Sequence, residues 1–184
     1  MPKDSNSSLF DLFAALLEYP STETTGQARV CLAQLQPIHP EAAEALEKFV
    51  RRLDQLSLEK MRELYTITFD MQPVCYPYVG YHLFGESYKR GAFMAQLNEA
   101  YHAFGYSAGQ ELPDHLTVIL RYLGLDATNR AGEFCQALLN SGLMPALEKM
   151  LKVFDDDSEN PYAGLLSALY LFLVHTPEKE LTHA

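Results

Sequence analysis

Apolar residues recur at helical spacing along almost the whole chain, and no run alternates apolar with polar as a half-buried strand would. That pattern narrows the fold to helices packed on helices. Ala42, Leu46, Phe49, Val50, Leu53 and Leu56 make one stripe, with Arg51, Arg52 and Asp54 off it. Leu9, Phe10, Leu12, Phe13, Leu16 and Leu17 make another, capped by Ser7 or Ser8 and stopped at Tyr19-Pro20.

The same reading continues down the chain. A short helix carries Val30, Leu32 and Leu35, and Pro37 ends it. Pro40 suits a first helical position, and Ser57 caps a helix in which Met61, Leu64, Tyr65 and Thr68 line up toward Phe69. Tyr78 to Gly85 fits both periods, and Val79, Leu83 and Phe84 favour helix. A long helix runs from Ser87 to a left-handed stop at Gly105. Leu112 to Leu123, Asp126 to about Gly142, Leu143 to Phe154 and Pro161 onward complete the set, the last capped by Asn160. The acidic run Asp155 to Glu159 lacks the alternation and glycine of a calcium loop and reads as a solvated connection. The expectation is a single all-α domain over residues 1–184, of roughly nine to ten helices, with frayed tails at 1–7 and 177–184. A chain of 184 residues can bury the core this needs.

Charge and motifs then limit the function. Twenty-four acidic against 14 basic residues leave a formal net charge of −10. Such a field repels a phosphate backbone, so no nucleic-acid partner is expected; it draws in a cationic partner, or serves solubility alone. Cys31, Cys75 and Cys135 are scattered, as buried thiols in a reducing cytoplasm are, and no export signal is seen. Asn160 to Thr176 is too short and interrupted for a membrane span. Nucleophile elbows, dinucleotide and phosphate loops and zinc spacings are missing, which counts against hydrolase, dinucleotide and P-loop readings.

Two segments stand out. Leu64 to Gly91, LYTITFDMQPVCYPYVGYHLFGESYKRG, places seven aromatic residues and three glycines in 28 positions. Glu111-Leu-Pro-Asp114-His115 gathers three ionisable groups in five residues. Pro113 suits the first position of a helix, with Asp114 in its first turn, which is a complete structural reading. The functional reading is that the cluster receives a cationic or hydrogen-bonding ligand. His115 would feel the helix end and the two acids in opposite directions.

TFDMQPVCYPYVGYHLFGESYKRGAFM followed by ELPDHL resembles the delta-subunit chaperones of respiratory nitrate reductase, the NarJ type, within the TorD/DmsD group of redox enzyme maturation proteins. The resemblance runs from about Leu9 to Leu173. It implies an all-helical cytoplasmic chaperone, not an enzyme, monomeric or weakly dimeric. Such a protein binds the N-terminal leader of a molybdoenzyme catalytic subunit, nitrate reductase alpha or a close relative. It holds that leader while bis-molybdopterin guanine dinucleotide is inserted into the client, and keeps no cofactor stably itself. Asp114 and His115 fall on the family's leader-binding motif, and Tyr65, Phe69, Tyr81, Phe84 and Arg90 on its central stretch. With Asp70 and Glu111 as further acids, these are the expected peptide-binding residues. Cys75 and Pro77 inherit no role. A permanent subunit of the oxidoreductase, or a nucleotide-hydrolysing cofactor handler, are the alternatives.

Overall fold

The computed structural model describes residues 5–154 and 159–180. The connection at Asp155 to Ser158 and the last four residues, read above as a solvated loop and part of a tail, lie outside them. Among the described residues there is no β-strand, and eleven α-helices follow in order. They are α1 (Ser5–Leu16), α2 (Thr24–Leu35), α3 (Pro40–Leu53), α4 (Leu58–Tyr65), α5 (Val79–Phe84) and α6 (Tyr88–Ala103). After these come α7 (Leu116–Leu123), α8 (Ala127–Arg130), α9 (Glu133–Ala137), α10 (Met144–Leu151) and α11 (Pro161–Glu180). A π segment, Thr66–Asp70, continues α4, and another, Leu138–Leu143, joins α9 to α10. The all-α expectation holds.

The core forms where α11 lies along α3 and where α1 packs on α2 and α7. Phe172 sits between Phe10 (5.1 Å) and Phe13 (5.5 Å), and Tyr162 packs on Phe49 at 5.5 Å. Offset and edge contacts of this kind add to the area that the rings bury. Helices α3 and α11 approach closely because Gly164 has no side chain; a Cβ there would stand 3.2 Å from the Ala45 carbonyl oxygen. Arg130 is buried as well. Its guanidinium lies on the Phe10 ring at 5.1 Å and donates to the Leu123 carbonyl at 2.8 Å and to Ser7 Oγ at 3.3 Å.

Several local rules work as read. Ser57 Oγ accepts from the Lys60 amide, Asp126 from the Asn129 amide and Asn160 from the Tyr162 amide. Gly105 is left-handed, at φ 69°, after α6. Elsewhere the structure corrects the reading. Helix α1 already includes Ser5, ahead of the expected cap, and Ser7 is buried. Helix α11 continues through Pro177 to Glu180. Helix α2 buries Thr24, Ala28, Cys31 and Leu35, and leaves Val30 half exposed. Gly142 stops nothing: it is buried inside the second π segment, so the rod runs on from Glu133 to Leu151. Helix α7 starts at Leu116, not near Leu112, because the residues before it are used in a long-range pairing.

Candidate functional site

That pairing joins the two segments singled out in the sequence. The Val79 amide donates to the Asp114 carbonyl at 2.8 Å, and the Leu116 amide donates to the Pro77 carbonyl at 2.9 Å. Tyr78 and His115 thereby form an isolated antiparallel bridge. Pro113 and Asp114 thus lie in a turn ahead of α7 and not in its first turn; the His115 amide closes that turn on the Leu112 carbonyl at 3.0 Å. Tyr101, buried on α6, donates its hydroxyl to the Pro113 carbonyl at 2.8 Å.

Side chains reinforce the bridge. Arg90 donates from Nε to Asp114 Oδ2 at 2.8 Å and from a terminal nitrogen to Oδ1 at 3.2 Å. Asp114 is 0% exposed and the Arg90 side chain 17%. The carboxylate raises the arginine's pKa through this hydrogen bonding. Gly80 makes the approach possible: a Cβ there would meet Asp114 Oδ2 at 2.7 Å, Phe93 at 3.0 Å and Arg90 at 3.1 Å. Above the pair, Arg90 lies on the Tyr78 ring at 5.2 Å. Tyr78 in turn meets the His115 ring edge-on at 5.1 Å and donates its hydroxyl to Glu111 Oε1 at 3.3 Å.

His115 caps α7. Its Nδ1 accepts the Thr117 amide at 3.2 Å and lies 2.8 Å from the Thr117 hydroxyl. An amide can only donate, so Nδ1 carries no proton and the neutral ring is protonated on Nε2. Burial lowers the pKa of His115 from the ordinary histidine value, against opposing pulls from Glu111, Asp114 and Glu18. The balance left open by the sequence therefore falls toward a neutral ring.

The expected binding residues separate into three groups. Arg90, Asp114 and His115 come together, with Arg90 Nε, both Asp114 carboxylate oxygens and His115 Nδ1 engaged within the fold, and Asp114 is out of reach of solvent. Phe69 is also buried, packed on Tyr162 at 4.9 Å, so its ring serves the core. Exposed or half-exposed are Asp70, Glu111, Tyr65, Tyr81 and Phe84. Tyr65 donates to the Leu17 carbonyl at 3.2 Å and meets Tyr19 at 5.6 Å. Its hydroxyl pKa is pushed up to about 12, by burial first and then by Asp70, Glu18 and Glu111. Tyr81 stacks on Tyr76 at 4.2 Å, and Phe84 leans on Phe93 at 5.7 Å. Tyr78, Gly80 and Tyr101 belong to the site and were not among the expected residues. Tyr78 and Gly80 lie inside the aromatic segment, which was the available signal for them, and Tyr101 lies outside it.

Among the described residues no three or more His, Cys, Asp or Glu side chains are placed to hold a metal, and no helix is long and apolar enough to cross a membrane. The arrangement offers no activated nucleophile. Cys75 is buried, with its thiol pKa pushed up to about 12. What the site offers is a braced platform with exposed aromatic edges and carboxylates around it.

Known proteins match over most of the chain. The sequence model of the family described as nitrate reductase delta subunit matches residues 34–166. A Bacillus subtilis (strain 168) relative, described as a probable nitrate reductase molybdenum cofactor assembly chaperone NarJ, is 27% identical over 175 residues, which cover 93% of this chain and 91% of that one. The crystal structure of an Archaeoglobus fulgidus protein described as a redox enzyme maturation protein superposes with a TM-score of 0.62 at 24% identity. It covers 91% of this chain and 93% of that chain, which establishes the common fold.

Proposed function

This chain belongs to the nitrate reductase delta subunit family, and from that premise we propose that it is a molybdenum cofactor assembly chaperone acting on the N-terminal leader of a molybdoenzyme catalytic subunit. The client carries the bis-molybdopterin guanine dinucleotide, and the chaperone works in the cytoplasm before the client docks. Its task is recognition and not catalysis.

The observation that carries this reading is the brace between the two motif segments. A bridge, a buried ion pair and a tyrosine set edge-on to His115 hold Pro77 to Arg90 against Glu111 to Leu116. Arg90, Asp114 and the Nδ1 of His115 are used to hold a surface. Pre-organised surfaces lower the ordering cost of binding, which suits capture of a leader that is itself unfolded before recognition. An amphipathic leader helix with basic flanks is the ligand that an acidic, aromatic-edged platform favours.

The test is the molybdenum content of the client. The catalytic subunit is produced with and without this chain, purified, and analysed for metal. The expected result is a folded but molybdenum-poor subunit when the chain is missing, restored by supplying it. Equal loading in both preparations contradicts the proposal.

A further inference from the structure

Helix α6 is held unlike α3 and α7. Of its 16 residues only Leu97 and Tyr101 are buried, whereas α3 buries six of 14 and α7 seven of eight. Among the helices it packs chiefly on α5, which has only six residues and rests in turn on α10 and the second π segment. The outer face of α6 lies in water: Tyr88 is 84% exposed, and a Cβ on Gly91 would meet nothing within 4 Å. Little apolar burial leaves little hydrophobic free energy to keep the helix docked.

Its attachments are few, and two of them are polar. Near the start of α6, Arg90 holds the buried Asp114 carboxylate. Near its end, the Tyr101 hydroxyl donates to the Pro113 carbonyl, and the ring meets Tyr122 at 4.8 Å and Tyr106 at 5.1 Å. Between them the half-buried Phe93 reaches Phe84. Undocking α6 returns Arg90 and Asp114 to water together. The desolvation that a buried pair suffers is then reversed, so the pair fixes where α6 sits and adds little to how tightly it is held. Deleting one partner is different, because the other stays buried and uncompensated until the helix leaves.

Both ends of α6 turn on glycine. Gly85 precedes the helix at φ 63° and Gly105 follows it at φ 69°, each in the left-handed region. The helix is thus a straight element between two sharp turns, with its neighbours α5 and α7 anchored separately. Helix α5 keeps its own contacts on α10, where Lys149 donates to the His82 carbonyl at 2.9 Å, and α7 is packed on α1.

We propose that α6 is a clasp that undocks as one unit while the rest of the bundle stays folded, with Arg90 and Asp114 as its latch. Opening separates the pair and bares Leu97, Tyr101 and Tyr122, all closed off from solvent when the clasp is shut. The packing of α3 on α11 and of α1 on α7 is the same in both states. The chain then has a closed state and an open one with further apolar surface, and anything that binds that surface shifts the balance toward opening.

Native-state hydrogen exchange of the full chain in low urea, read by mass spectrometry on peptides from α3, α6 and α11, tests this. In wild type, α6 exchanges faster than α3 and α11, and its opening depends less on urea, because local opening exposes less surface than global unfolding. Phe49→Leu weakens the packing of α3 on Tyr162, which the open state retains. It speeds exchange in α3 and α11 by about fivefold or more and leaves α6 at its wild-type rate. Asp114→Asn strands Arg90 in the closed state and speeds exchange in α6 by about tenfold or more. Arg90→Lys, which keeps the charge and loses the two-bond geometry, gives a smaller increase in α6. Exchange of α6 in step with α3 and α11, with the same urea slope, overturns the clasp. So does a Phe49→Leu chain in which α6 speeds up as much as α3. An α6 rate unmoved by Asp114→Asn and Arg90→Lys overturns the latch.

Discussion

Arg90 grips Asp114 through two hydrogen bonds, at 2.8 Å and 3.2 Å, across 24 residues of sequence, and the carboxylate is wholly buried. The pair is the fastening between the aromatic segment and the acidic motif. Whatever Asp114 contributes to partner recognition passes through this contact, because a ligand has no path to its oxygens.

Removing one partner leaves an uncompensated charge in a nearly closed site. Asp114→Ala is therefore expected to destabilise the chain by about 3 kcal/mol or more. Urea unfolding followed by circular dichroism measures it. A loss below about 1 kcal/mol, the range of exposed pairs, would show that the fastening is weak.

Two glycines should respond in opposite directions to the same substitution. Gly80→Ala forces a methyl group to 2.7 Å from Asp114 Oδ2, so it destabilises by about 1–3 kcal/mol despite alanine's helix preference. Gly91→Ala, in α6, meets nothing within 4 Å and has an ordinary backbone, so it stabilises by up to about 1 kcal/mol. Paired thermal melts of the two variants check the contrast.

Tyr101→Phe removes the buried hydroxyl that serves the Pro113 carbonyl and leaves that oxygen without its donor. A loss of about 1–3 kcal/mol is expected. Tyr78→Phe keeps its ring on His115 and Arg90 and loses only an exposed 3.3 Å bond, so its effect stays within about 0.5 kcal/mol. Equal losses in the two variants would contradict the ranking.

The pH dependence follows from two histidines. Burial lowers the pKa of both His115 and His82 in the folded chain, so the unfolded chain binds their protons more readily. Stability from this source is complete above the unfolded value of about 6.5 and is lost as pH falls from there through the folded values. Protonation of His115 also removes the acceptor that caps α7. His115→Asn, which keeps a capping acceptor without titrating, should flatten the decline in melting temperature below about pH 6.5. An unchanged slope would exclude His115 as a contributor.

The sequence made the helical frame legible where structure is local. The stripe from Ala42 to Leu53 is the buried face of α3, and the caps at Ser57, Asp126 and Asn160 work as their side chains suggest. It misled where a distant partner decides. Pro113 and Asp114 read as a helix start, yet the Val79 amide takes the Asp114 carbonyl, the Pro77 carbonyl takes the Leu116 amide, and α7 begins only at Leu116. Gly142 looked like a stop, but the π segment buries it in the middle of a rod. The two motifs were readable as residues that belong together. That Arg90 would hold Asp114, and so withdraw it from solvent, depends on Gly80 and on a contact that no local spacing reveals.

The central claim is leader recognition, and calorimetric titration of the catalytic subunit's leader peptide into the wild-type chain addresses it most directly. The account predicts saturable one-to-one binding of about micromolar affinity or tighter. It also predicts a negative heat-capacity change, the mark of an apolar face being buried. No heat, or weak binding unchanged when the peptide's sequence is scrambled, would contradict it.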